Sequence, residues 1–151
     1  MPKDAALDIQ LIGGQPPHLY VRASHPLAAG EHALHEVWTY GIAVQKLLSP
    51  SKVDLAALLG LPAGQEASIA LECDNYGVLK TVALTTYTVL GATDSAVREE
   101  LESGALVRLS VKGWPSPPSL TGIVRLHGRT ASPAAQAAIA AIVRAAQAIN
   151  V

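Results

Sequence analysis

His32 and His35 stand three residues apart in His32-Ala33-Leu34-His35, a spacing that puts two imidazoles on one side of a helix, within reach of one metal ion. A third ligand is needed, and Glu36 is the one compelling carboxylate nearby. A short solvated helix explains the same residues without a metal. Cys73 is the single cysteine and has the chemistry of a thiol nucleophile. It lies between Leu71 and Asp74 at the end of an apolar run, the setting of a small inert core residue. Glu72 and Asp74 flank it, two apart and hence on one side of a strand. A strand end followed by a helix cap accounts for them better than an acid/base pair. Gly13-Gly14 has no further phosphate-loop glycines, and neither G-x-G-x-x-G, G-K-[ST] nor G-x-S-x-G occurs in the chain. Glu99, Glu100 and Glu102 form a solvated acidic face. Gln45 and Lys46 close a predicted strand, where pocket lining and ordinary loop are equally open readings. Thr93 either meets a ligand or caps the helix that follows it.

Residues 69–109 must position most of these side chains. An apolar strand ends at Glu72-Cys73, a helix capped at Asp74-Asn75 follows, and a second strand runs from Tyr87 to Ala92. A charged helix then spans Asp94 to Glu102, ends at Gly104, and gives way to a strand from Leu106. That alternation predicts a layered α/β domain with parallel strands, whose ligand sites lie where strands end and helices begin. The helix after Asn75 is expected to bury Val78, Leu79, Val82 and Ala83. Upstream, Asp8–Ile12 and His18–Arg22 read as strands, the second with Leu19 and Val21 on one buried face. His25-Pro26 and Gly30 make a turn, and a short helix around His32–Val37 leads to a strand at Tyr40–Val44. Ser51 is expected to cap a helix that Gly60 and Pro62 end. Downstream, Trp114-Pro115-Ser116-Pro117-Pro118 is a stiff loop between strands at 106–111 and 119–126. The last helix has Ser132 as cap and Pro133 in its first position, with Ile139, Ile142, Val143, Ala146 and Ile149 on its buried side.

The totals exclude several classes of protein. Net charge is −1, and the basic residues are scattered rather than gathered in a stripe that would neutralise phosphates. This chain by itself is not expected to bind nucleic acid. The uncharged stretch Thr81–Thr93 is too short to cross a bilayer. Met1-Pro2-Lys3-Asp4 lacks the apolar run of a secretory signal, and one cysteine forms no internal disulfide. A cytoplasmic location is expected.

Taken in order, the elements resemble the effector-binding domain of LysR-type transcriptional regulators. Leu19-Tyr20-Val21-Arg22-Ala23-Ser24-His25-Pro26-Leu27-Ala28 is similar to the strand and turn by which that family's chain enters its second lobe. Leu34–Val44 resembles the short helix and strand that follow. Glu72-Cys73-Asp74-Asn75 and its helix resemble the second lobe's strand–helix unit. Ser95–Leu109 resembles the helix and strand that return to the first lobe, and Ser132-Pro133-Ala134-Ala135 the start of the last helix. The likeness covers roughly residues 7–150, and its order and spacing carry it rather than any one motif. The family's usual glycines before the return strand and proline after it are replaced by Thr86, Thr88 and Thr93.

The resemblance implies a periplasmic-binding-protein-like α/β fold of two lobes, with one complete lobe and the returning C-terminal part of the other. Residues 1–23 would enter from the first lobe, 24–91 form the second lobe, and 92–151 return to the first lobe and end in the C-terminal helix. The winged helix-turn-helix and the opening half of the first lobe are missing from the match. The implied function is effector sensing without catalysis: a small molecule, in the family a ligand of the cleft between lobes, changes how an oligomeric regulator sits on DNA. The residues that inherit the site are Ala43, Val44 and Gln45 on the second-lobe wall, Asn75 at a helix N-terminus, and Gly91, Ala92 and Thr93 at the hinge. No cofactor and no metal is expected; the expected partners are a small effector, such as a small carboxylate, and further copies of the chain. Two alternatives stand beside this reading: an assembly fragment that dimerises without binding a ligand, and a small α/β enzyme using Cys73 or the His32/His35 pair.

Overall fold

The structure is a computed structural model and describes residues 6–47, 49–115 and 119–149. The chain divides into two compact units, one Pro17–Ser116, the other made of Met1–Pro16 and Pro117–Val151.

In the Pro17–Ser116 unit the elements are β2 (His18–Arg22), β3 (Glu31–His32), α1 (Leu34–Trp38), β4 (Ile42–Val44), α2 (Ser49–Leu58), β5 (Leu71–Glu72), α3 (Tyr76–Thr85), β6 (Val89–Ala92), a 3-10 turn (Asp94–Val97), α4 (Arg98–Ser103), β7 (Leu106–Arg108) and β8 (Ser110–Val111). The other unit begins with β1 (Leu7–Gln15). Five strands form one sheet in the order β5-β4-β6-β2-β7. β4 runs parallel to β5 and β6, whereas β2 is antiparallel to both β6 and β7. Four of the five strands therefore share one direction, as the alternating pattern predicts. The reversed strand fills the gap that the α4 crossover leaves between β6 and β7. β3 and β8 make a separate parallel pair.

Both faces of this sheet are covered. Leu19, Val21, Leu27, Val37, Ile42, Val44, Val89 and Leu109 form one core cluster. Tyr20, Ala43, Leu79, Ala83, Leu90, Ala92, Val97 and Leu106 form the other. Strand side chains alternate between the two clusters, as period-2 geometry requires. The expectation of one buried face on β2 is thereby corrected: Tyr20 is fully buried, because helices on the second face turn the alternation into two cores.

α3 starts where the sequence indicates. Asn75 caps it, its Oδ1 accepting from the N–H groups of Gly77 (2.9 Å) and Val78 (3.3 Å). Leu79 and Ala83, one turn apart, are buried, but Val78 is 45% exposed. The sheet meets a narrower stripe of the helix than the apolar run suggests. α2 begins at Ser49 rather than after Ser51, so Ser51 lies inside the helix and the expected capping box does not form. The charged helix is split: a 3-10 turn precedes α4, and Gly104 in the left-handed region (φ 76°) ends it.

In the second unit, β1 pairs antiparallel with β9 (Ser119–Leu126), from Leu7 opposite Leu126 to Gln15 opposite Ser119. A bulge falls between Leu11 and Gly13, where Gly13 takes φ 147°. α5 (Pro133–Ile149) lies against β1. Ser132 Oγ accepts from the Ala135 N–H at 3.2 Å, which realises the expected cap. Ile139, Val143 and Ala146 are half-buried, but Ile142 and Ile149 are exposed, as are Leu7, Ile9, Leu11, Leu120, Val124 and Leu126. Two strands and one helix present more apolar surface than they can cover.

Candidate functional site

Because β4, β5, β6 and β7 share a direction, their carboxyl ends lie along one edge of the sheet, joined there by the first residue of the reversed β2. Ligand sites of α/β sheets form at such edges. Val44-Gln45 ends β4, Glu72-Cys73-Asp74 ends β5, Ala92-Thr93-Asp94 ends β6, Arg108 ends β7, and His18 opens β2 opposite Ala92. At about 4.8 Å per strand, the stretch from β4 to β7 spans roughly 14 Å.

The seven residues the resemblance selects divide by burial. Ala43, Val44 and Ala92 are buried in the two cores. Gly91 is a packing glycine: a Cβ there would stand 2.6 Å from Val44 Cγ1. These four form the floor behind the edge. Gln45 and Asn75 are exposed and Thr93 is half-buried. Gln45 Oε1 accepts from the Tyr76 hydroxyl at 3.2 Å, and the Lys46 N–H donates to Asp74 Oδ1 at 3.3 Å, so the end of β4 and the start of α3 hold one another. Burial raises the Tyr76 phenol above its ordinary range, keeping it a neutral donor. Thr93 makes no side-chain cap; its Oγ1 lies 3.2 Å from Ser95 Oγ.

The same edge carries a polar cluster absent from the sequence reading. The Tyr20 hydroxyl donates to Asp94 Oδ1, and Arg108 Nη2 donates to Asp94 Oδ2. Tyr20 and Arg108 are direct cross-strand partners, and the His18 ring packs edge-on to Tyr20 with centroids 6.4 Å apart. Burial works to raise the Asp94 carboxyl; the hydrogen bonds from Tyr20 and Arg108 outweigh it and hold Asp94 below its ordinary value. Burial, followed by the charge of Arg108, lowers the His18 imidazole against the opposing pull of Asp94. At pH 7 the cluster is one ion pair flanked by a neutral imidazole and a neutral phenol.

The features that could suggest enzymatic chemistry have structural partners. His32 lies in β3 and His35 in α1, so the two do not share a helix face. His32 Nε2 is 2.8 Å from the Ala29 carbonyl, and its Nδ1 is 3.4 Å from Glu36 Oε2. Among the described residues, no three His, Cys, Asp or Glu side chains gather into a metal-binding group. Cys73 Sγ accepts from the Asn75 N–H at 3.4 Å. Glu72 pairs with Lys52, and Lys80 with Glu100 at 3.1 Å. No described helix is long and apolar enough to cross a membrane.

A mixed sheet with a polar carboxyl edge, on a chain that continues through a short helix and strand, is an α/β domain with the periplasmic-binding-protein-like fold. The chain belongs to the LysR substrate binding domain family, whose pattern matches residues 2–147. It is 30% identical over 136 residues to the SDS degradation transcriptional activation protein of a Pseudomonas species, an alignment covering 89% of this chain and 44% of that protein. The fold is similar to the regulatory domain of CcmR from Synechocystis, solved in complex with 2-PG (TM-score 0.70, 14% identity, 97% of this chain and 70% of that one). It is also similar to the effector binding domain of QuiR in complex with shikimate (TM-score 0.66, 16% identity, 97% and 68%). The chain thus spans less than half the length of its curated relative.

Proposed function

We propose that this chain is the ligand-sensing module of a LysR-type transcriptional regulator, binding a small polar effector at the carboxyl edge of its five-stranded sheet and catalysing no reaction. The observation that carries the reading is the row of Gln45, Tyr76, Asn75, Thr93 and Arg108 along that edge, set on the buried floor of Ala43, Val44, Gly91 and Ala92. Polar groups at strand ends over an apolar floor suit a ligand of a few hydrogen-bonding groups. The similar QuiR and CcmR domains bind shikimate and 2-PG, and both relatives favour a small polar effector here.

Effector binding acts by population shift: a ligand that prefers one arrangement of the regulator raises its share by the difference in affinity, and no more. The response passes to DNA through an oligomer and a helix-turn-helix carried elsewhere in the regulator, in the cytoplasm. Thermal melting of the chain against a panel of small carboxylates, sugars and amides tests the reading. A compound held at 100 times its dissociation constant should stabilise the fold by about 2.7 kcal/mol. Cys73→Ser, which keeps a small acceptor beside the Asn75 N–H, should leave that response unchanged, which separates the sensor from a thiol enzyme. An oligomer that no compound stabilises would favour the assembly fragment instead.

A further inference from the structure

Arg108 is held in an unusual way for an arginine whose side chain is 45% exposed. Its partner Asp94 is fixed from behind by Tyr20, a fully buried side chain on the reversed strand β2, which lies between β6 and β7. The cross-strand register Tyr20 opposite Arg108 sets the distance between them. A surface ion pair contributes little stability, because two mobile side chains must be ordered to make it. Here the ordering is already supplied by the buried tyrosine. Asp94 Oδ2 accepts from Nη2 of the guanidinium, and the Tyr20 hydroxyl lies within hydrogen-bonding reach of the same group. The remaining donors form a planar fork in fixed orientation, the geometry that matches a carboxylate bidentately.

Resting on the sensor reading above, we infer that Arg108 is the residue that recognises a carboxylate group of the effector, with Tyr20 and Asp94 as the pair that positions it. Asp94 is itself a negative charge beside this fork. It weakens the attraction for any anion and limits the site to a single carboxylate rather than a dicarboxylate. His18, beside Tyr20 and neutral at pH 7, adds a hydrogen-bonding group without adding charge. The ligand class is a small monocarboxylate bearing a further hydroxyl or amide group, which Thr93, next to Asp94 in the row, can meet.

The test titrates the full chain with glycolate, benzoate and shikimate, and in parallel with the corresponding primary amides. It follows melting temperature and the arginine side-chain N–H resonances by NMR. At least one carboxylate should bind and move the Arg108 resonance, and its amide should bind at least tenfold more weakly. Arg108→Gln should weaken carboxylate binding at least tenfold without changing the melting temperature of the free protein by more than a few degrees. Tyr20→Phe leaves every charge in place, so a merely structural tyrosine would leave affinity unchanged; a positioning one should lower it several-fold and broaden the Arg108 resonance. Carboxylate binding that survives Arg108→Gln overturns the inference. Amides that bind as well as their acids overturn it too, while leaving the sensor reading intact. Binding of neither class overturns both.

Discussion

His25 shows how one side chain can decide a turn. Its Nδ1 accepts from the Leu27 N–H at 2.9 Å, so its proton sits on Nε2, which donates to the Tyr87 carbonyl at 2.8 Å. The ring is 4% exposed and packs edge-on against Tyr40 and Tyr87. This pins the turn after β2 to the segment that leads into β6, which explains in physical terms the His-Pro pair that the sequence presents as a turn signal. His25→Ala strands a buried N–H and a carbonyl together, and should cost roughly 3 kcal/mol in urea unfolding. His18 and His127 should respond to pH in opposite senses. His18 is lowered by burial and by Arg108, so its contribution is complete above pH 6.5 and is lost as pH falls through its depressed pKa. His127 is raised by its hydrogen bond to Asp8 at 2.9 Å, so its contribution is complete below pH 6.5 and is lost as pH rises through its elevated pKa. An imidazole NMR titration should find His18 titrating below 6.5 and His127 above it, and Asp8→Asn should return His127 toward its ordinary value.

At the scale of elements, Gly91 shows how side-chain room is shared between the adjacent strands β4 and β6. Its missing side chain lets Val44 pack over the strand, and Gly91→Ala would push a methyl to 2.6 Å from Val44 Cγ1. The substitution should cost about 1–3 kcal/mol, measured by denaturant melts, and Val44→Ala in the same chain should recover part of it. The starts of α3 and α5 were legible in the sequence because caps are local, Asn75 and Ser132-Pro133 announcing them through groups within three residues, whereas α2 begins before the expected Ser51 cap. The Tyr20–Asp94–Arg108 cluster was not legible, since Tyr20 and Asp94 are 74 residues apart and meet only through strand register. The one available signal was Tyr20 itself, a polar-tipped aromatic alternating with aliphatics, which needs a hydroxyl partner once its strand is covered on both sides. Periodicity also found the apolar stripes on α3 and α5 but not their buried width, and so placed Val78, Ile142 and Ile149 inside. How much of a stripe is covered depends on what packs opposite, and that information is not in the helix.

At the scale of the molecule, the two units differ in how much they bury. Among the described residues, all eighteen buried hydrophobics lie in the Pro17–Ser116 unit, and none of the side chains of β1, β9 or α5 is fully buried. Amide exchange should therefore be slowest in β2, β4 and β6, and considerably faster in β1, β9 and α5 under the same conditions. Uniform protection across both units would show that the second unit is stabilised by more than its own packing. The likeness to complete regulatory domains was readable from the order of strands and helices, since that order survives sequence divergence better than any motif.

The claim that most needs testing is that the carboxyl edge of the sheet, and not some other surface, receives the effector. Backbone chemical-shift mapping of the chain with a stabilising small carboxylate tests it directly. The sensor reading predicts the largest shifts at Gln45, Asn75, Tyr76, Thr93 and Arg108, with Arg22 and Tyr87 at the opposite edge unmoved. Shifts centred on Arg22 and Tyr87, or spread along β1 and α5 with that row silent, would contradict it.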